Sequence, residues 1–293
     1  MAAIRVADVS RSTSVMRWGL YGLHKGTSAD PEVLARRARR AEEAGFESLW
    51  VGDHVALPVD APDAHDEPRL ELVVCLAHLA AVTGRVRLAS GVAILPQRQP
   101  VLLAKQLTSI DVLSGGRLIV GVGVGYVEAE LAALGASVTD RGPRTDEHLA
   151  AMVALWDEPT PTFTGDFVSF SGVVERPRPV QRPHPPIVCG GHAAAALRRA
   201  ATVGDGWYGW ELGPDEVAAT VSTLRELGER HGRAPDRDEL EITVTPPQDL
   251  DLAMAHRYAE AGVHRLVVQP STSEGTAIDE LIETVGSHYV GQA

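Results

Sequence analysis

Apolar positions along this chain fall into two alternating rhythms. Short runs of Val, Leu, Ile and Ala read as strands, and longer stretches with apolar residues every three or four positions read as helices. Arg17–Leu23 is the first predicted strand. The helix Pro31–Ala44 follows, framed by Asp30 as N-cap, Pro31 at the first helical position and Gly45 at the stop. Glu47–Asp53 and Val86–Leu95 are the next strands, with a helix over Leu70–Thr83 between them. Pro100–Leu113 is helical up to Gly115 and Gly116. Leu118–Gly123 is the fourth strand, and a helix over Arg144–Trp156 comes after an irregular stretch.

Asp157–Pro185 breaks the rhythm. It is Pro-rich, and its Thr164-Gly165-Asp166 turn between short β-like runs predicts a hairpin excursion. Pro186–Cys189 then restarts the alternation: helix Ala193–Val203, strand Gly206–Tyr208, helix Pro214–His231, strand Leu240–Thr245, helix Leu252–Ala261, strand Arg265–Gln269 and helix Ile278–Tyr289. Strict alternation implies a parallel sheet. An eightfold alternation points to an α/β fold of the TIM type, a closed (β/α)8 barrel in one domain over residues 16–293, with the excursion as an insertion near the C-terminal mouth. An open, doubly wound sheet would need a switch point that the pattern does not offer. Met1–Val15 is polar and aperiodic and reads as a disordered extension.

Composition narrows the partners. The formal charge is −12, from 27 basic against 39 acidic residues, a balance that repels nucleic acid and anionic membranes. Cys75 and Cys189, the only cysteines, leave no disulfide framework and no Cys-based metal site, so no metal is expected. No run approaches the roughly 18 apolar residues of a membrane span, and the N-terminus lacks a signal-peptide core. A cytoplasmic enzyme for a small-molecule substrate is the expectation, and a homodimer is compatible with it.

Candidate chemistry belongs at the C-terminal ends of barrel strands. Asp53 and His54 end the second strand, where a carboxylate beside an imidazole is able to fix its tautomer. His65 and Asp66 lie in a polar loop and read as solvated. Ala89-Ser90-Gly91-Val92-Ala93 puts small residues where a planar ligand would press on the backbone. Gly121-Val122-Gly123-Val124-Gly125 imitates a dinucleotide fingerprint, yet no acidic strand end follows, so these glycines read instead as a loop passing under a ligand. Ile187-Val188-Cys189-Gly190-Gly191-His192 runs into an Ala-rich helix, a strand, glycine turn and helix N-terminus suited to a phosphate. Arg198 and Arg199 lie beyond that first turn.

Read in order, Leu49-Trp50-Val51-Gly52-Asp53-His54, Asp111-Val112-Leu113-Ser114-Gly115-Gly116-Arg117, Gly121 to Gly125 with Tyr126 and Glu130, Arg141-Gly142-Pro143-Arg144, and Gly190-Gly191 leading to Gly204-Asp205-Gly206-Trp207 resemble the bacterial luciferase-like family of flavin- and F420-dependent oxidoreductases. The resemblance implies a cofactor ring at the barrel mouth and a non-proline cis peptide at Gly91–Val92. It implies catalytic roles for His54, near the reacting face, and Asp53, against the ring. It also implies cofactor contacts from Gly91, Val92, Gly123, Gly125, Tyr126, Cys189, Gly190, Gly191 and His192, the last three around the phosphate. Coenzyme F420 is the leading cofactor and FMN the alternative. The expected activity is hydride transfer between F420 and a small organic molecule.

Two rivals stand beside that expectation. One is an FMN-dependent monooxygenase on the same barrel, served by a flavin reductase. The other is a non-catalytic cofactor-binding protein. Tyr126 stands where the sugar-phosphate dehydrogenase branch has a glutamate, which argues against glucose 6-phosphate. His192 departs from the Pro or Asn common in relatives. The glutamate tail of F420 calls for local positive charge, for which Arg176, Arg178 and Arg182 in the insertion are candidates.

Overall fold

The computed structural model describes residues 16–61, 67–233, 239–247 and 250–290. The expected extension 1–15 and the His65-Asp66 pair lie outside the described residues. The chain alternates as β1 (Arg17–Tyr21), α1 (Pro31–Glu43), β2 (Ser48–Val51), α2 (Leu72–Val82), β3 (Arg87–Ser90), β4 (Ala93–Ile94), α3 (Pro100–Ser114) and β5 (Leu118–Gly123). Two helices follow in succession, α4 (Glu128–Ala133) and α5 (Arg141–Asp157), and then a hairpin of β6 (Phe163–Thr164) and β7 (Ser169–Phe170). The alternation resumes with β8 (Ile187–Gly190), α6 (Ala194–Thr202), β9 (Gly206–Trp210), α7 (Pro214–Arg230), β10 (Glu241–Thr245), α8 (Leu252–Glu260), β11 (Arg265–Val268) and α9 (Ala277–His288).

All pairings within the main sheet are parallel, in the order β3-β2-β1-β11-β10-β9-β8-β5, and β3 pairs back onto β5 through Leu88 with Leu118 and Ala89 with Ile119. That last pairing closes an eight-stranded barrel. Side chains alternate along each strand. Trp50, Ala89, Ile119, Val188, Tyr208 and Val267 fill the interior, while their neighbours Leu49, Leu88, Leu118, Val120 and Leu266 join a larger core under the helices. At the lower end of the barrel, Arg265 is fully buried. Its Nε donates to Glu47 at 2.8 Å, its Nη1 pairs with Glu241, and its guanidinium lies 5.7 Å from the Trp50 ring. No described helix is long and apolar enough to cross a membrane.

Two local readings change. The third predicted strand is one run in sequence but two pieces in space, because the chain turns at Gly91–Val92 between β3 and β4. The irregular stretch before α5 contains α4, six residues too short to show a periodic face.

The insertion splits into two parts. Glu147 of α5 accepts the N–H groups of Asp166, Phe167 and Val168, and the Arg144 guanidinium lies 4.4 Å over Phe167, so the hairpin rests on the upper half of α5. The segment after it runs to the opposite end of the barrel. Gln181 donates to the carbonyl of Leu118 at the start of β5, and Arg178 donates to the carbonyls of Trp156 and Glu158 at the end of α5.

Candidate active site

At the mouth, β2 delivers Asp53 and His54 side by side, yet the two do not pair. The Asp53 carboxylate accepts from the Ile94 N–H at 2.8 Å and from Arg98 Nε at 2.8 Å, while Arg98 Nη2 reaches its other oxygen. No part of that carboxylate is exposed. The Asp53 carboxylate is thus engaged by Arg98 and the Ile94 amide rather than turned to the open mouth where the ring contact was expected. Arg98 also donates to Glu71, the N-cap of α2, at 2.7 Å, so one guanidinium ties β2, α2 and the approach to α3 together.

The partner of His54 is Glu130 of α4. His54 Nδ1 lies 3.0 Å from Glu130 Oε2, and the other oxygen accepts the N–H groups of Val55 at 2.5 Å and Ala56 at 3.1 Å. The Glu130 side chain is wholly buried while that of His54 keeps a fifth of its surface. Burial alone would raise the Glu130 carboxyl. The bonds from His54, Ala56 and Val55 outweigh it and hold the group below the usual range, as the anion. Tyr126 completes the corner, its hydroxyl 3.4 Å from His54 Nε2 and its residue surface three-quarters exposed.

The glycine rim is a seat for one side chain. Gly91–Val92 is a cis non-proline peptide, as the resemblance implies. Around it, a Cβ on Gly123 would lie 2.5 Å from Val92 Cγ2, and one on Gly190 would lie 2.9 Å from Val92 Cγ1. A Cβ on Gly121 would meet the Ser90 carbonyl oxygen at 1.9 Å. Gly123 thus makes room first for Val92, whereas the sequence reading gave that space to a ligand. Gly125, at φ 73°, turns the chain out to Tyr126. Cys189 turns its thiol away from the mouth. Its side chain sits in the outer core under the helices, and burial pushes the thiol up to about 12.

Beyond Gly190 the chain exposes Gly191, His192 and Ala193 before entering α6, whose N-terminus carries no side-chain cap. The turn is held from behind. Trp207 Nε1 donates to the Gly191 carbonyl at 2.9 Å, and the Trp210 N–H donates to His192 Nε2 at 3.1 Å. Open amides at an uncapped helix start, with small side chains above them, fit a phosphate. Arg199 is buried and donates to Asp146 at 2.7 Å, and Arg198 reaches the same carboxylate at 3.5 Å. Of the insertion arginines, Arg178 caps the far end of α5 and Arg176 donates to the Glu175 carbonyl beside it, so these two are engaged at the end of the barrel away from the mouth.

Under the mouth an aromatic series runs from Trp50 to Tyr208 (4.9 Å between centroids), Trp210 (6.2 Å), Tyr21 (5.1 Å) and His24 (5.2 Å). Tyr208 is bonded to Thr245 at 2.7 Å. His24 is buried, and desolvation pushes its imidazole down to about 3, so it stays neutral. His24, Arg98 and the pairing role of Glu130 escape sequence reasoning. The only signals for them are a His three residues beyond a strand, an Arg in a Pro-Gln loop, and a Glu four residues past Tyr126. Among the described residues no three His, Cys, Asp or Glu side chains are arranged to hold a metal ion.

Residues 16–289 match the family described as luciferase-like monooxygenase. An uncharacterised protein, Rv0953c, of Mycobacterium tuberculosis (strain ATCC 25618 / H37Rv) is 34% identical over 257 residues, 83% of this chain and 89% of its own length. The FMNH(2)-dependent dimethylsulfone monooxygenase of Pseudomonas putida is 31% identical over 217 residues, 72% of this chain and 58% of that protein. In shape, the coenzyme F420 dependent tetrahydromethanopterin reductase of Methanopyrus kandleri superposes with a TM-score of 0.76 at 16% identity, covering 94% of this chain and 99% of that one.

Proposed function

Since this chain belongs to the luciferase-like monooxygenase family, whose members are oxidoreductases and monooxygenases, we propose that it is an F420-dependent oxidoreductase acting by hydride transfer on a small organic molecule. The observation that carries this reading is the His54 corner. A half-buried imidazole stands at the barrel mouth with one nitrogen on a buried carboxylate and the other turned to an exposed phenol. Hydride exchange at a carbon–oxygen or polarised double bond is accompanied by a proton, and a positioned imidazole is the side chain suited to carry it near neutral pH.

When bound, the deazaflavin supplies a carbon centre that exchanges hydride in two-electron steps. The protein's part is to hold and orient. The α6 N-terminus with Gly190, Gly191 and His192 would take the phosphate, Gly91, Val92 and Gly125 would face the ring system, and His54 with Tyr126 would stand on the substrate side. Asp53 acts through Arg98, by fixing the strand end that presents His54. The aromatic floor of Trp210 and Tyr21 limits water from below.

The second reading is an FMN-dependent monooxygenase served by a flavin reductase, favoured by the relative from Pseudomonas putida whose name gives it reduced FMN. The two separate in one experiment. Purified apoprotein is titrated with oxidised and reduced F420 and FMN, followed by anaerobic turnover with reduced F420. Tight binding of F420 alone, with oxygen-independent turnover, supports the first reading. Tight binding of FMN alone, with oxygen consumed, overturns it.

A further inference from the structure

We propose that Glu130 is the positioning residue of this site, fixing the His54 imidazole with its proton on Nδ1 so that Nε2 is the atom free to exchange a proton in the barrel mouth. The inference deepens the function proposed above and rests on it only for its catalytic consequence. The tautomer belongs to the chain alone.

The geometry determines the assignment. A carboxylate anion has no hydrogen to give, so the 3.0 Å contact between Glu130 Oε2 and His54 Nδ1 requires the hydrogen on Nδ1. Glu130 remains an anion because its second oxygen already accepts two backbone hydrogens, from Val55 and Ala56. Those two amides directly follow His54 in the chain. One buried carboxylate therefore clamps both the ring and the turn that carries it, which restricts the ring to one orientation.

The groups around His54 leave that role to Glu130. Asp53, next in the chain, is closed off by Arg98 and the Ile94 amide. Tyr126, from the loop after β5, stands at Nε2, on the other side of the ring. His24, from the loop after β1, is buried and held neutral by desolvation.

The test turns on Glu130→Gln. The oxygen of the new amide is required by the Val55 and Ala56 N–H groups, so its NH2 faces His54 Nδ1, which must then become an acceptor. The proton moves to Nε2. Nitrogen-15 NMR of the apoprotein at neutral pH reads the two ring nitrogens directly, and the His54 signal is identified by its disappearance in His54→Asn.

The expected result is an Nδ1–H tautomer in the wild type and an Nε2–H tautomer in Glu130→Gln, with Glu130→Asp restoring the first. A neutral wild-type ring with its proton on Nε2 and none on Nδ1 overturns the proposal, and this measurement does not depend on the variant folding. An unchanged Nδ1–H tautomer in a folded Glu130→Gln overturns it as well. In turnover with F420, kcat of Glu130→Gln should fall on the order of 100-fold with KM little changed. If the F420 reading itself fails, turnover is absent in wild type and variant alike while the NMR result stands.

Discussion

The guanidinium of Arg98 closes on the carboxylate of Asp53 at two points, Nε to Oδ2 at 2.8 Å and Nη2 to Oδ1, and nothing of that carboxylate meets solvent. A two-point pair of this kind fixes direction as well as distance. Asp53→Ala leaves Arg98 with Glu71 alone and strips the Ile94 N–H of its acceptor. We expect a loss of about 3 kcal/mol in urea unfolding, with cofactor affinity weakened less than about tenfold, since a buried positioning group acts on the ring only at second hand. The opposite pattern, native stability with cofactor binding abolished, would put Asp53 on the ring after all.

Much of the fold was legible because the strands are short apolar runs buried on both faces and several helices carry caps that declare their ends. Asp30 accepts from Glu32 and Val33, and Gly115 ends α3 at φ 71°. His54 was legible for a related reason, since a parallel barrel places strand ends at one mouth. The partners of Asp53 and His54 were not. Arg98 and Glu130 are 45 and 76 residues away, and it is the tertiary pairing of β4 beside β5, through Ala93 with Val122 and Ile94 with Gly123, that brings their elements to the mouth. Adjacency in sequence suggested an Asp53–His54 pair. The pleat and the departing loop send the two side chains to different neighbours. The glycines misled in another way, because sequence records a missing side chain without saying which neighbour uses the space.

That neighbour is Val92, and its fit gives a second prediction. Gly123→Ala forces a methyl to 2.5 Å from Val92 Cγ2, an overpacking expected to cost about 2 kcal/mol. Val92→Ala removes the colliding methyls. The double variant should recover most of the loss, a coupling visible in a double-mutant cycle by thermal or urea unfolding. Strict additivity of the two single changes would show that Gly123 serves something other than Val92.

At the other end of the barrel, Arg265 joins Glu47, Glu241 and Thr243 beneath Trp50. Burial works against both glutamates, and Arg265 more than offsets it, holding their carboxyls below the usual range. Arg265→Met strips Glu47 of its two-point partner and leaves Glu241 with Arg17 alone, and unfolding should show a loss of about 3 kcal/mol. The Arg265 side chain lies at the lower end, far from the mouth, so cofactor affinity of the folded variant should stay within about twofold of wild type. A large fall in affinity at native stability would contradict the separation of floor from mouth.

His24 gives the molecule a pH dependence whose sign follows from burial. Desolvation lowers its imidazole from the ordinary 6.5 to about 3 in the fold. Between those values the unfolded chain takes up a proton that the folded chain refuses, so stability is fully present above pH 6.5 and declines as pH falls toward 3. The slope from this one residue is about 1.4 kcal/mol per pH unit, or about 2 kcal/mol between pH 6.5 and pH 5. His148 and His264, lowered first by burial as well, steepen the same decline. Urea unfolding of the wild type and of His24→Gln at both pH values isolates the share of His24: the variant should lose about 2 kcal/mol less than the wild type over that interval. Equal losses in the two proteins would mean that the buried ring near Tyr21 accepts its proton in the folded state, and that the aromatic floor admits charge.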